Sequence, residues 1–286
     1  MSFQLMVDGG ADLPKELIEK FNVKIVPLNI HFANEEYKAG VDLSTEEFYK
    51  KMKATDELPK TSASSPNDFY NAFKEINPDI PILLLSLTKN LSATYQNAEL
   101  GKNMLLDEEP DRIIEIVNTK TASCGVALLL NEAVKLKLKE VNFHEIVNHV
   151  KASVERTATL FSLKTVENLI KGGRLDKVRG AIAKTLNIKL LMKASDEGDI
   201  EVTEKVRGEK KALRRLVEQI GDYTKSLEGK TIALAHSNCE EKAKKVLASI
   251  KEKYNPSEEL LVEMGPLIAT HAGEGGLVIS FLEDKK

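Results

Sequence analysis

The chain has 286 residues, 42% hydrophobic and 30% charged, with a formal net charge of −3, two cysteines and no tryptophan. That length and apolar content suit one large or two ordinary domains with a packed core, and exclude global disorder. The slight negative charge gives no pull toward nucleic acid or an anionic membrane, and two cysteines cannot build a disulfide framework. No stretch is long and apolar enough to span a bilayer, and the start lacks the basic and apolar regions of a signal peptide, so a reducing cytoplasm is the expected location.

Residues 3–7 read as a first strand ending at Asp8-Gly9-Gly10. Asp12 is placed to cap a helix that starts near Pro14. Residues 23–32 alternate as a strand, Glu35-Glu36 turns it, and residues 37–41 return. Ser44 with Glu47 three residues later predicts a capping box. The next helix is over by Pro59. Lys60-Thr61-Ser62-Ala63-Ser64-Ser65-Pro66 is a hydroxyl-rich loop, from which Pro66 opens a helix to about residue 76.

Residues 82–85 form a short apolar run followed by Ser86, Thr88, Asn90 and Ser92, and then a helix over 93–102 with Ser92 as its N-cap. A buried strand that passes through a polar turn into a helix is half of a βαβ unit. Free N–H groups and the positive end of the helix dipole suit such a turn to a small anion such as a carboxylate; the alternative is an ordinary capped helix. Residues 113–117 give another strand, 119–123 a polar segment, and 125–139 an apolar helix. This alternation predicts a parallel sheet covered on both faces, with ligands beyond the carboxyl ends of its strands. Asp8, residues 86–92 and residues 121–123 all fall there, and the hydroxyl loop at 61–65 is expected to join them.

Residues 143–156 read as a connecting helix, 159–163 as a strand, and 166–170 as a short helix closed by Gly172-Gly173. Residues 188–193 and 200–206 flank a loop containing Gly198, a hairpin signal. A long helix over 209–226 carries Leu213, Leu216, Val217 and Ile220 on one face. Strands at 231–235, 260–264 and 276–282 and a helix at 240–253 complete the chain. The mixed order predicts a second, α+β domain from residue 160, giving domains 1–159 and 160–286.

No zinc, calcium, dinucleotide, P-loop or nucleophile-elbow motif is present. Cys124 and Cys239 read as structural, and His236 as a capped or surface residue. His271, in Thr270-His271-Ala272-Gly273-Glu274-Gly275-Gly276, is either a ligand contact among glycines or part of a turn. Arg174, in Lys171-Gly172-Gly173-Arg174-Leu175, is either a solvated helix C-cap residue or a displayed cation.

Taken together, Asp8 with Ala11-Asp12-Leu13-Pro14, Gly40-Val41-Asp42-Leu43, Lys60-Thr61-Ser62 with Ser65-Pro66, Leu91-Ser92-Ala93-Thr94-Tyr95-Gln96, Lys171-Gly172-Gly173-Arg174-Leu175 and His271-Ala272-Gly273 resemble the DegV family, fatty-acid-binding proteins that act as acyl carriers for bacterial fatty acid kinase. The resemblance covers essentially the whole chain. It implies an N-terminal α/β domain with a mainly parallel sheet that carries carboxylate-binding loops. It also implies a C-terminal α+β domain with a mixed or antiparallel sheet that contributes to a lipid tunnel. A long-chain fatty acid would be the ligand, with no other cofactor and no metal. Its carboxylate would sit at Thr61 and Ser92, with Ser62 nearby and His271 completing the network.

Arg174 and Arg207 would be exposed and would dock the catalytic subunit of the kinase, which phosphorylates the held carboxylate in phospholipid metabolism. No nucleic acid is implied, and transient membrane contact is. Two departures from the family pattern stand out: Gly9-Gly10 where hydroxyls are usual, and Glu274 where proline is usual. Residues 126–130, Phe161, Leu163, Ile170 and Leu267-Ile268 are the expected tunnel lining. The rival reading is a hydrolase or transferase that uses Ser92 as nucleophile and His271 as base.

Overall fold

The structure is a computed structural model that describes residues 3–32, 35–55, 57–175 and 187–284. Strand β1 (Gln4–Asp8) turns into α1 (Lys15–Phe21). The run read as one strand over 23–32 is two, β2 (Lys24–Val26) and β3 (Asn29–Phe32), separated at Pro27, which has no N–H to give a ladder. Then come β4 (Glu35–Lys38), α2 (Thr45–Ala54), β5 (Lys60–Ser62) and α3 (Pro66–Lys74). Both α2 and α3 open on full capping boxes, Ser44 with Glu47 and Ser65 with Asp68.

The central unit is β6 (Ile82–Ser86) and α4 (Thr94–Glu108), followed by β7 (Ile114–Asn118), α5 (Cys124–Leu138) and α6 (Phe143–Val154). Next are β8 (Thr157–Ser162), α7 (Glu167–Lys171), and the hairpin β9 (Ile188–Ala194) and β10 (Ile200–Arg207). Helix α8 (Glu209–Glu218) runs into a 3-10 turn at Gln219–Asp222 and so ends earlier than its apolar spacing suggests. The chain closes with β11 (Thr231–His236), α9 (Glu240–Tyr254), β12 (Glu258–Glu263), α10 (Pro266–Ala272) and β13 (Leu277–Leu282).

Three sheets result. The first, ordered β2-β1-β6-β7, is parallel throughout. The second, ordered β10-β9-β8-β13-β11-β12, is antiparallel except for the parallel β11–β12 pair. The third, β4-β3-β5, is a small antiparallel sheet that brings Thr61 and Ser62 beside Ile30 and Asn29. The fold is therefore mixed α/β, with a parallel N-terminal sheet and a mixed C-terminal one, as the sequence predicts.

Helix α5 lies between the two larger sheets. Cys124 and Leu128 pack in the cluster that holds Ala233 and Val278, while Val126, Leu129 and Leu130 pack in the cluster that holds Leu83 and Leu85. The first half of α5, residues 124–130, is apolar all round, and such a segment belongs between layers rather than at a surface. This corrects one expectation: residues 126–130 are core, not tunnel wall.

Candidate functional site

The carboxyl ends of β1, β6 and β7 converge as the doubly covered sheet dictates. Asp8, at the end of β1, is wholly buried. Its Oδ2 accepts from Ser86 Oγ at 2.6 Å and Leu87 N at 2.9 Å, and its Oδ1 accepts from Gly10 N at 2.9 Å. Burial pushes this carboxyl up to about 6 against the pull of those three bonds. Asp8 thus ties neighbouring strand ends together.

Asp12 does not cap α1, whose N-cap is Pro14 with no side-chain bond. Instead Oδ2 accepts from Ser123 Oγ at 2.5 Å and Oδ1 accepts from Gly265 N at 2.7 Å. Burial raises this carboxyl to about 7. Ser123 is held at a left-handed φ of 59°, an unusual conformation for a residue with a side chain. Its N–H donates to Gly10 O at 2.7 Å, so contacts with Gly10 and Asp12 fix the strained turn.

Gly265 is the N-cap of α10, with Pro266 at its first turn. The glycine-rich stretch read as a loop around His271 therefore begins as a helix, and His271 sits in its last turn. The signal was present in Gly265-Pro266, since proline is favoured at a first helical position. His271 Nε2 lies 3.0 Å from Thr61 Oγ1 on β5. Its Nδ1 is buried without a partner and faces Gly172, where an added Cβ would lie 2.8 Å away. Burial, helped by the charge of Arg174, pushes the imidazole down to about 4, so it is neutral at pH 7. An orphaned acceptor at Nδ1 costs less than an orphaned N–H, so the proton is assigned to Nε2, which donates to Thr61. Thr61 then keeps its own O–H free to donate.

Thr61 and His271 open into a cavity. Its wall is mainly apolar, including Leu28, Leu91, Phe161, Leu163, Leu169, Leu267, Ile268 and Val278. Leu169 takes the place expected of Ile170, because α7 turns that neighbour to the cavity side. Ser62 and Ser92 also line the wall. Ser62 is exposed, with its hydroxyl 3.0 Å from His31 Nε2. Ser92 is not the N-cap of α4; that position is Ala93. The Ser92 hydroxyl accepts from Thr94 N at 3.3 Å and pairs with Thr94 Oγ1 at 2.7 Å.

Of the two arginines, Arg207 is exposed at the end of β10, but Arg174 is not the free surface cation expected. Arg174 is half-buried on the cavity wall, with Nε donating to Leu91 O at 3.1 Å and Nη1 to Gly172 O at 2.5 Å. The Gly172 carbonyl at the end of α7 attracts the guanidinium and, with the Leu91 carbonyl, draws it inward. Glu274 points elsewhere: it accepts from Asn238 Nδ2 at 2.5 Å and lies 3.6 Å from Lys53. His236 is buried rather than superficial. Burial pushes the Cys124 thiol up to about 12 and raises that of Cys239, which suits the structural role expected for both. Among the described residues no cluster of His, Cys, Asp and Glu could hold a metal, and no helix is long and apolar enough to cross a membrane.

The family profile described as "Uncharacterised protein, DegV family" matches residues 2–284. The chain belongs to the DegV family. A DegV domain-containing protein of Clostridium perfringens is 31% identical over 287 residues, covering 99% of this chain and 98% of its own length. A DegV protein of Ruminococcus gnavus, solved with vaccenic acid, matches the fold with a TM-score of 0.91 at 28% identity, covering 98% of this chain and 99% of its own. The fatty acid kinase B3 protein of Streptococcus pneumoniae, loaded with linoleic acid, matches with a TM-score of 0.88 at 29% identity, covering 99% of this chain and 100% of its own. DegV membership thus rests on the full length of the chain and on its three-sheet architecture together.

Proposed function

We propose that this DegV protein is a cytoplasmic carrier that binds a long-chain fatty acid in the cavity and presents the carboxylate to a separate ATP-dependent fatty acid kinase, which converts it to an acyl phosphate. Thr61, Ser62 and Ser92 hold the carboxylate, and His271 orients Thr61. The observation that carries this reading is the Thr61–His271 pair at the wall of a mainly apolar cavity. Relatives of the same fold hold vaccenic and linoleic acid, and one of them is a fatty acid kinase B protein.

The energetics fit. About fourteen buried methylenes contribute roughly 11 kcal/mol gross, at about 0.8 kcal/mol each. The head group then needs only a few donors to fix its position. Neutral hydroxyls suit this role, since they stabilise the anion and leave one oxygen free to attack a phosphoryl group. The nucleophile-and-base reading has less support: the Ser92 hydroxyl pairs with Thr94, while the imidazole pairs with Thr61. Extraction of the purified protein and mass identification of the lipid tests the proposal. A long-chain fatty acid in near-stoichiometric amount is expected. A protein that carries no fatty acid and binds none on titration after delipidation would overturn it.

A further inference from the structure

Strand β8 alternates its faces as any strand must, so Thr159 and Phe161 look toward the same side, and both line the cavity with Leu163 just past the strand's end. Phe161 and Leu163 suit an acyl chain. Thr159 does not, and beside it lies a second cavity-lining hydroxyl, that of Thr121, at 2.8 Å. Thr159 Oγ1 is also 2.9 Å from Ser280 Oγ on the paired strand β13. These three hydroxyls belong to none of the head-group residues.

Three hydroxyls joined by two hydrogen bonds hold three protons and use two of them. If Ser280 donates to Thr159 and Thr159 to Thr121, the spare proton is that of Thr121. Its remaining protein acceptor is the adjacent Ala122 carbonyl at 3.4 Å, at the weak limit of a hydrogen bond. Run the other way, the spare proton falls on Ser280, whose remaining neighbour is the Cys124 sulfur at 3.7 Å, a poor acceptor. An oxygen on a ligand beside Thr121 completes the first arrangement. The patch is set apart from the His271 end of the cavity. A Cβ added at Gly276 would meet both Leu163 and Ala272, the neighbour of His271, whereas Thr159 precedes Leu163 by four residues, about 13 Å of extended chain at about 3.3 Å per residue.

Resting on the fatty-acid reading above, we infer that the acyl chamber carries a second polar subsite, Thr121 with Thr159, which selects a long-chain fatty acid bearing a hydroxyl or keto oxygen part-way along its chain. The oxygen accepts the Thr121 proton, and the Ser280–Thr159–Thr121 relay aligns behind it, each bond polarising the next.

The experiment titrates delipidated full-length protein with stearic acid and with monohydroxystearic acids whose hydroxyl lies near the carboxylate, mid-chain or near the methyl end. The wild-type protein is expected to bind the mid-chain isomer about fivefold more tightly than stearic acid, the size of one net hydrogen bond. Thr121→Val, similar in shape and without the hydroxyl, is expected to reverse that preference in favour of stearic acid. Thr159→Val, which breaks the relay but leaves Thr121, is expected to reduce it; the ratio of the two affinities in each protein is the readout. Tighter binding of stearic acid than of every isomer by the wild type, or a preference that survives both substitutions, overturns the subsite and leaves the fatty-acid reading standing. Failure of stearic acid and all isomers to bind overturns both.

Discussion

The carboxylate of Asp12, in the turn after β1, accepts the backbone N–H of Gly265 at 2.7 Å across 253 positions of sequence. That bond anchors the start of α10, and α10 carries His271, Leu267 and Ile268 to the cavity. A buried carboxyl raised to about 7 holds its proton more tightly in the folded chain than in the unfolded one. Its contribution is therefore full below the ordinary carboxylate range and is lost as pH rises through about 7. Asp12→Asn keeps an acceptor for Gly265 and removes the charge. Relative to wild type, the variant should gain stability as pH rises from about 4 to 8, measured by denaturant unfolding at each pH. Asp8 acts with the same sign, and His271, pushed down to about 4, with the opposite one; both are present in the two proteins and cancel in the difference. Parallel stability curves for the two proteins would contradict the assignment.

Gly172 leaves room for the His271 ring. An added Cβ would lie 2.8 Å from Nδ1 and 3.0 Å from Cε1, while the glycine's own φ of −75° is open to any residue. Gly172→Ala should therefore act through the ring and not through the backbone. Displacing His271 breaks its bond to Thr61, and fatty acid affinity should fall by about twofold to tenfold, the worth of one net hydrogen bond. Calorimetric titration reads the affinity. Affinity equal to wild type would mean that His271 does not orient the head-group site.

Ser92→Ala should remove one charge-assisted bond to the carboxylate, about 1.5–3 kcal/mol. Within the protein the Ser92 hydroxyl serves Thr94, which keeps the start of α4 in order. Loss of that local pair should cost about 1 kcal/mol of stability, so the variant stays folded. A titration in which Ser92→Ala matches the wild type would sink the assignment of Ser92 to the head group.

Most of the architecture was legible in the chain because local signals and tertiary demands agree. Ser44 with Glu47 and Ser65-Pro66 mark helix starts by side-chain chemistry alone, and residues 82–85 and 125–130 carry the unbroken apolar runs of fully buried segments. What escaped the sequence depends on long-range pairing. Asp12 reads locally as a cap, and only the approach of Gly265 shows it as a bridge. Arg174 reads as solvated, and only the carbonyls of Leu91 and Gly172 draw it inward. The Thr121–Thr159–Ser280 chain joins residues on three separate segments, each unremarkable in its own stretch. The small sheet β4-β3-β5 was half visible: the return strand was expected, but the hydroxyl segment that supplies Thr61 read as loop, because three residues are too few to show an alternation.

Arg174 and Arg207 match positions that the family resemblance ties to docking, yet their surroundings differ. Arg174 is engaged on the cavity wall and lowers the basicity of His271, so its removal should disturb lipid binding as well as any partner contact. Arg207 stands exposed at the end of β10, the outermost strand of its sheet, and is absent from the cavity wall. It is therefore the cleaner probe. In a reconstituted reaction with the kinase catalytic subunit and ATP, Arg207→Glu should leave fatty acid affinity within about twofold of wild type while acyl-phosphate formation falls at least tenfold, since a reversed charge repels where the native one attracts. The loss should appear in the apparent affinity between the two proteins and shrink as the kinase is raised to saturation. Arg174→Ala should instead lower both lipid affinity and turnover, and saturating kinase should not restore it. An Arg207→Glu protein phosphorylated at the wild-type rate under subsaturating kinase would remove Arg207 from the docking surface.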